Sequence, residues 1–311
     1  MHIVDDPEWR RRFTLTGSAL TSGERNLLAR AASSGSVVRI ARGVYADGKV
    51  RRSHDETYRD LVHARELVSP TALVFSHTSA AALWRIPRIG PWPARIHVTS
   101  AQTAGRTTPH FVRHTGGSAL APDTIDGVQV TALARTVVDL ARTESTTNAV
   151  LAADASMAGI VLGDRTFVIP RDDLVREVDL IGSGRGVRSA RFVVDFANPL
   201  SGSPGETRSR ISIARAGLTP PILQQCFEDE EGRMFVDFWW PELGVAGEFD
   251  GEGKYRRSEF TGGRSAADVV VDEKKREDRL RRQVSTVARW GWEVAGSPLQ
   301  LGALLRAAGV K

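Results

Sequence analysis

Residues 233–250 read RMFVDFWWPELGVAGEFD. Two apolar runs flank Pro241-Glu242-Leu243-Gly244, a stretch punctuated by proline and glycine of the kind that reverses a chain. The segment is therefore predicted as strand, tight turn and strand. Counting outward from the turn pairs Trp240 with Val245, Trp239 with Ala246, Phe238 with Gly247 and Asp237 with Glu248. Side chains alternate between faces with period two, so Asp250 is expected on the face of Asp237 and Glu248. Directly opposed residues have Cβ atoms roughly 4.5–5.5 Å apart, and like charges in that position repel. A divalent cation reverses that penalty, because hard cations such as Mg²⁺ bind carboxylate oxygens together with water and substrate phosphate. The competing reading is a slipped register or an exposed edge that leaves the acids in water.

The rest of the chain limits what such a site could be. Its 311 residues are 41% hydrophobic and 25% charged, an ordinary globular composition with room for two or three domains. The opening MHIVDDPEWRRR has acids and no apolar run behind it, and no stretch of about 18 apolar residues follows anywhere. A cytoplasmic protein without a membrane partner is expected. Cys226 is the single cysteine, which excludes an intrachain disulfide and a cysteine-cluster zinc site. All seven histidines lie between His2 and His114. Any chemistry in the later part must use carboxylates, lysines and metal rather than a triad or a Cys-His pair. The formal net charge of +5 is mildly in keeping with a nucleic-acid partner.

Upstream, Thr21-Ser22-Gly23-Glu24 is a capping-box helix start, followed by Leu27, Leu28, Ala31 and Ala32 on one helical face. The run VVRIARGVYA then alternates Val38 and Ile40 with Arg39 and Arg42 before Asp47-Gly48 turns the chain. Helix followed by basic ribbon is a winged-helix pattern, expected to set the helix in a DNA groove and the arginines on phosphate. A short helix-strand unit with no DNA role is the alternative. From 51 to 160 the pattern is mixed: a helix over about 54–68, a helix over SHTSAAALW, the strand ARIHVTS, a hairpin from PHFVRHT to GVQVTA, and helices near 132–142 and 147–158. His77 stands where a helix starts and is read as capping as readily as chemistry. His97, His110 and His114 are expected as packed or surface imidazoles, with no carboxylate or cysteine spacing to complete a metal set. Residues 161–202 are expected as a connecting segment with a short helix from Gly186 to Phe196.

From Ser203 the sequence SPGETRSR opens a helix, with Pro204 at its first position and Glu206 in the capping-box place. Glu206 also lies one helix upstream of the acidic hairpin, so it is read as a cap, as a further acid of the site, or as both. After Asp250, GEGKYRRSEF brings Lys254, Arg256 and Arg257 close behind the acids. A charged helix with Leu280, Val284, Val287 and Ala288 as its stripe is predicted next, then a last strand over WEVAGS. Lys274 or Lys275 on that helix is expected to reach the site, with arginines holding phosphate backbone. A solvated helix face is the bland alternative.

The order GETRSR, RAGL, FVDFWWPELGVAGEFDG, EKKREDRL and WGWEV resembles the very-short-patch-repair endonuclease-like branch of the PD-(D/E)XK nuclease superfamily over about 203–300. That resemblance implies a mixed sheet flanked by helices. It also implies Mg²⁺ or Mn²⁺ on Asp237 and Glu248, help from Glu206 through water, and metal-activated phosphodiester hydrolysis. The lysine expected two residues after Glu248 is Asp250, which leaves the positive charge to Lys254, Lys274 or Lys275. The segments SGSVVRIARGVYADG, FSHTSAAALWRIP and VTALARTVVDLA are similar to the AbiEi-type antitoxins of type IV toxin-antitoxin systems. This second resemblance implies a winged-helix domain, operator binding and a cognate toxin, with Arg25, Asn26, Arg39 and Arg42 as DNA-facing candidates. The expected organisation is an α/β multi-domain chain. It comprises a winged-helix-like unit at 1–50, an AbiEi-like α/β domain at 51–160, the connector at 161–202 and a PD-(D/E)XK-like mixed sheet at 203–311. Two functions fit that organisation: a metal-dependent DNA endonuclease with an antitoxin-like half, suited to defence against foreign DNA, or a non-catalytic DNA-binding regulator or antitoxin.

Overall fold

A computed structural model describes residues 8–16, 21–100, 107–115, 121–251 and 266–311. The chain is a mixed α/β protein that divides into two compact units, 1–152 with 159–195, and 153–158 with 196–311. Among the described residues no helix is long and apolar enough to cross a membrane.

The first unit begins with β1 (Phe13–Leu15), α1 (Ser22–Ser33), β2 (Val37–Ala41) and β3 (Val44–Asp47), whose strands form a sheet of order β1-β3-β2. The expected capping box is present, Thr21 and Glu24 each accepting from the other's backbone N–H. The apolar residues of α1 are not covered, however: no residue of the helix is buried, and Leu27 is 64% exposed. Next come α2 (His54–Leu67), β4 (Val74–Phe75), α3 (His77–Leu83), β5 (Ile96–Ser100), β6 (Phe111–Thr115), β7 (Pro122–Ile125), β8 (Val128–Thr131) and α4 (Leu133–Thr143). Their sheet has the order β6-β5-β4-β8-β7 and encloses Phe75, Ile96, Val98 and Val130. The hairpin expected between 109 and 132 is not formed by β6 and β8. Instead β6 runs parallel to β5, and the hairpin joins β7 to β8. The reason is the turn: Asp126 and Gly127 both have positive φ, 52° and 75°, the two-residue geometry that matches strand twist.

The unit is completed by the first part of α5 (Thr146–Ala158), β9 (Ile160–Leu162), β10 (Arg165–Phe167), α6 (Arg171–Ile181) and α7 (Val187–Phe196). The stretch expected as a connector is thus mostly folded structure, with Leu174, Val178, Val187, Ala190, Val193 and Val194 buried.

The second unit runs α8 (Pro204–Arg215), β11 (Ile222–Asp229), β12 (Gly232–Trp240), β13 (Val245–Phe249), α9 (Ala266–Arg281), β14 (Thr286–Trp290), α10 (Trp292–Ala295) and α11 (Pro298–Ala307). Its sheet has the order β11-β12-β13-β14, antiparallel except for the parallel pair β13–β14 reached through α9. One core cluster packs Ile213, Leu301 and Leu305 on Phe238, Trp240, Val245, Phe249 and Trp290. A smaller one joins Val236, Ala246 and Leu280, with Trp239, Val284 and Val287 against them. The turn after β12 is a short 3₁₀ segment, Pro241–Leu243, closed by Gly244 at φ 62°, where an added Cβ would meet Ser285 Oγ at 2.4 Å. The last strand is Thr286–Trp290 rather than WEVAGS, and Trp292–Ala295 is helical. Val287 and Ala288 fit a helical stripe by spacing. Their β-branched neighbourhood instead pairs with β13, which a local period cannot report.

Candidate functional site

In the second unit the expected register holds for Phe238↔Gly247, Trp239↔Ala246 and Trp240↔Val245. It stops before the acids. Ladder pairing between β11 and β12 skips Gln224, which has φ 50°, opposite Asp237. Val236 and Trp239, three apart, share one cluster, so strict alternation is broken at Asp237. The Asp237 carboxylate accepts from the backbone N–H of Phe249 (2.9 Å) and from Gln224 Nε2 (3.2 Å). The same Gln224 Nε2 donates to Glu206 Oε2 at 2.9 Å. One amide therefore draws two carboxylates together, Glu206 from the first turn of α8 and Asp237 from β12.

Glu206 is held there by its own helix start. Its N–H donates to Ser203 Oγ, as a cap requires, but its side chain accepts from Gly202 N–H at 2.9 Å rather than from the cap residue. The return half of the expected capping box is thus replaced, which points the other lone pairs at Gln224. Lower in the same helix, Thr207 and Arg210 donate to Asp154 Oδ2, both at 2.7 Å, while Asn198 N–H donates to Oδ1. Asp154 is fully buried, so α8 is fixed by an anchor at Thr207 and Arg210, one and four residues after Glu206. Gly205 lets the helix approach β13: an added Cβ would lie 2.0 Å from the Phe249 ring.

Glu248 has a different environment. Arg276 donates to its Oε1 at 2.7 Å and Arg289 to its Oε2 at 2.9 Å, with Arg289 also bridging to Glu277 at 3.0 Å. Lys274 and Lys275, expected to reach the acids, are exposed; Arg276 from the same helix makes the contact. Asp250 is exposed, and its N–H donates to Trp290 O. Lys254, Arg256 and Arg257 lie outside the described residues. The DNA-facing candidates Arg25, Asn26, Arg39 and Arg42 are all exposed, the first two on α1 and Arg39 on β2.

In the first unit the structure assembles a group that spacing did not reveal. His77, His97 and His114 each offer a ligand atom, and these atoms lie within 4.8 Å of one another, a convergence that Glu206, Asp237 and Glu248 do not reach among the described residues. His97 Nδ1 and His114 Nε2 are 3.0 Å apart, and the His77 and His114 rings stack with centroids 3.6 Å apart. The backbone fixes all three. Phe75 pairs with Val98, Ser76 N–H donates to His97 O, and His97 N–H donates to Ser79 Oγ. The parallel pairing His97↔Val112 and Thr99↔His114 then sets His97 and His114 diagonally on one face. His77 does not cap α3; it sits at φ 50° with its Nδ1 3.1 Å from Ser76 Oγ and 3.8 Å from Asp139 Oδ2. Asp139 in turn accepts from Arg135 and lies 3.7 Å from Arg142. Burial holds all three imidazoles neutral: it pushes His77 well below the usual range, His97 to about 4 and His114 down, each helped by neighbouring cations. The only legible hint was three histidines on neighbouring elements. The parallel β5–β6 pairing that joins two of them is non-local.

No family model matches the chain. The uncharacterized proteins MT2308 and Rv2248 of Mycobacterium tuberculosis are each 29% identical over 127 residues, 40% of this chain and 44% of theirs. The chain thus spans less than half the length of the curated relatives it matches. Among solved structures, the RV2827C protein of Mycobacterium tuberculosis aligns with TM-score 0.36 and 15% identity, over 67% of this chain and 77% of that one. Likeness at that level fixes neither fold nor function.

Proposed function

We propose that the chain acts on DNA, with the second unit as a PD-(D/E)XK-like module for metal-dependent phosphodiester hydrolysis. The observation that carries this reading is the convergence of Glu206 and Asp237 on Gln224 Nε2. Nothing in sheet packing calls for two acids at one amide, whereas a hard cation is served by such a donor set. Support also comes from position: Asp237 accepts from the N–H of Phe249, the last residue of β13, and Gly205, beside Glu206, abuts the Phe249 ring; β13 is one of two parallel strands, and ligands of open α/β sheets collect outside the carboxyl ends of strands. In this reading Asp237 and Glu206 hold Mg²⁺ or Mn²⁺, directly or through water. When bound, the metal would polarise phosphate and lower the pKa of a water. Glu248 does not fit a metal role while Arg276 and Arg289 occupy both its oxygens. The first unit then supplies DNA contact through α1 and the β2–β3 ribbon in winged-helix fashion, with Arg25, Asn26, Arg39 and Arg42 outermost.

The engaged state of Glu248 favours a second reading, a non-catalytic DNA-binding regulator or antitoxin with a cognate toxin. The experiment is cleavage of supercoiled, single-stranded and branched DNA with Mg²⁺ or Mn²⁺, comparing the parent with Glu206→Gln and Asp237→Asn. Cleavage by the parent and loss of at least a hundredfold in both variants is expected for the hydrolase. A folded parent that shifts DNA in gels but never cuts it overturns the hydrolase and leaves the regulator.

A further inference from the structure

Outside the acidic site, the group least explained by folding is the histidine triad of the first unit. Three imidazoles share one small volume, one of them on left-handed backbone, which is strained for a residue with a side chain. A neutral His–His hydrogen bond needs two rings; the third, His77, is held by Ser76 Oγ through Nδ1 and brings its other nitrogen to the pair at the cost of strained backbone and burial.

We propose that His77, His97 and His114 form a binding site for a borderline divalent transition metal of the Zn²⁺ class, with a further coordination position on the half-buried His97 and His114 side open to water or an anionic ligand. Three imidazoles and an open position are the donor set of one group of catalytic zinc centres, and imidazole suits Zn²⁺, Co²⁺ and Ni²⁺ rather than Mg²⁺. The atoms are arranged for it. His77 Nδ1 faces Ser76 Oγ and Asp139, so its Nε2 is the nitrogen left for a metal. A carboxylate behind a ligating imidazole is the usual second support of such sites, fixing tautomer and ring direction. Asp139 is itself held by Arg135 and Arg142, so that support is rigid. The gap of 3.0 Å between His97 Nδ1 and His114 Nε2 is close to the separation of two ligands each about 2.0–2.1 Å from one ion. Ligation requires the His77 and His114 rings to tilt out of their stack, a side-chain movement with the backbone unchanged.

The test uses the untagged full chain, stripped with chelator and titrated with Co²⁺. Expected are visible d–d bands saturating at one equivalent, abolished by Zn²⁺ but not by Mg²⁺. His97→Gln and His114→Gln, whose side chains are partly exposed, should each weaken binding at least a hundredfold. Asp139→Asn should weaken it about ten- to a hundredfold, the range for a second-layer partner. Glu206→Gln/Asp237→Asn should leave it unchanged, which separates this site from the acidic one. If a histidine variant fails to fold, paramagnetically shifted imidazole N–H resonances in the Co²⁺-loaded parent decide the ligands. Absence of a saturable site in the folded parent overturns the proposal, as does equal affinity in the folded His97→Gln/His114→Gln protein or a cobalt spectrum without shifted imidazole resonances.

Discussion

Removing the carboxylate of Asp154 should unfasten the helix that carries Glu206. Asp154 has no solvent exposure, and Arg210, its partner at 2.7 Å, has 9% side-chain exposure. Arg210 also donates to Phe196 O and lies over the Phe196 ring at 4.8 Å, so it cannot swing into water without giving up both contacts. Asp154→Ala therefore leaves a buried guanidinium uncompensated, together with the Thr207 hydroxyl and the Asn198 N–H that shared the carboxylate. Breaking one side of such a pair costs about 3–5 kcal/mol. With a urea m-value of roughly 2 kcal/mol per molar for a domain of this size, the midpoint should fall by about 2 M. Tryptophan fluorescence reports both units, Trp9, Trp84 and Trp92 in the first and Trp239, Trp240, Trp290 and Trp292 in the second, so the transition of the second unit is the part of the signal that should move. Replacing both partners by apolar residues, Asp154→Leu with Arg210→Met, should recover most of the loss, because neither charge is then stranded. A midpoint shift below about 0.5 M for Asp154→Ala, or a double variant no more stable than the single one, would refute the assignment of Asp154 as the anchor of α8.

Two further outcomes follow from close packing and from proton linkage. Gly205→Ala should cost about 1–3 kcal/mol by overpacking, since the new methyl lands on the Phe249 ring, and should weaken any Mg²⁺-dependent DNA cleavage more than stability alone explains; wild-type melting and cleavage rates in this variant would show that α8 and β13 have more room. His63 is stacked on Trp9 at 4.2 Å, 2% exposed, with its pKa lowered to about 3 by burial and by Arg12 and Arg59. Its folded pKa lies below the unfolded value of 6.5, so the unfolded chain takes up the proton first. Stability is therefore present above pH 6.5 and lost as pH falls toward 3, at about 1.4 kcal/mol per unit, or about 2 kcal/mol by pH 5. His63→Phe keeps the stack and removes this share of the acid slope, and an unchanged dependence of urea midpoint on pH between 7 and 5 would count against it.

Where the sequence was legible, local chemistry decided the structure. The hairpin over 232–249 follows from Pro241 and Gly244, and its first three cross-strand pairs follow from counting. The fourth fails because Gln224 and Asp237 leave the ladder to serve each other's side chains, a break that no period-two rule anticipates. Residues 161–202 read as a connector because their glycines fall at helix ends, Gly182 after α6 and Gly186 before α7, while those two helices bury Leu174, Val178, Val187, Val193 and Val194. The histidines were the hardest. His97 and His114 meet through a parallel pairing whose register is set by the whole sheet, and His77 meets them because β4 lies beside β5.

Within the proposed DNA-acting reading, the choice between hydrolysis and binding alone turns on Glu248. A carboxylate whose two oxygens receive separate guanidinium groups is already neutralised, so bringing it to a cation would first strand Arg276 or Arg289. Both arginines are about one-third exposed, 31% and 32%, which places them where a phosphate could also reach them. A DNA strand drawn there would compete with Glu248 for the same forks, since guanidinium binds phosphate as readily as carboxylate. Substrate binding would then release Glu248 toward the acids it does not now join, and a chain without hydrolysis would gain the same phosphate contact and stop there. Either way Arg276 and Arg289 belong to the DNA-facing side of the reading, and Lys274 and Lys275, exposed on the same helix, extend that charge. In that proposed reading, where Asp250 stands in the place of the expected lysine, the positive charge would come from Arg276 on the neighbouring helix and Arg289 on β14 instead.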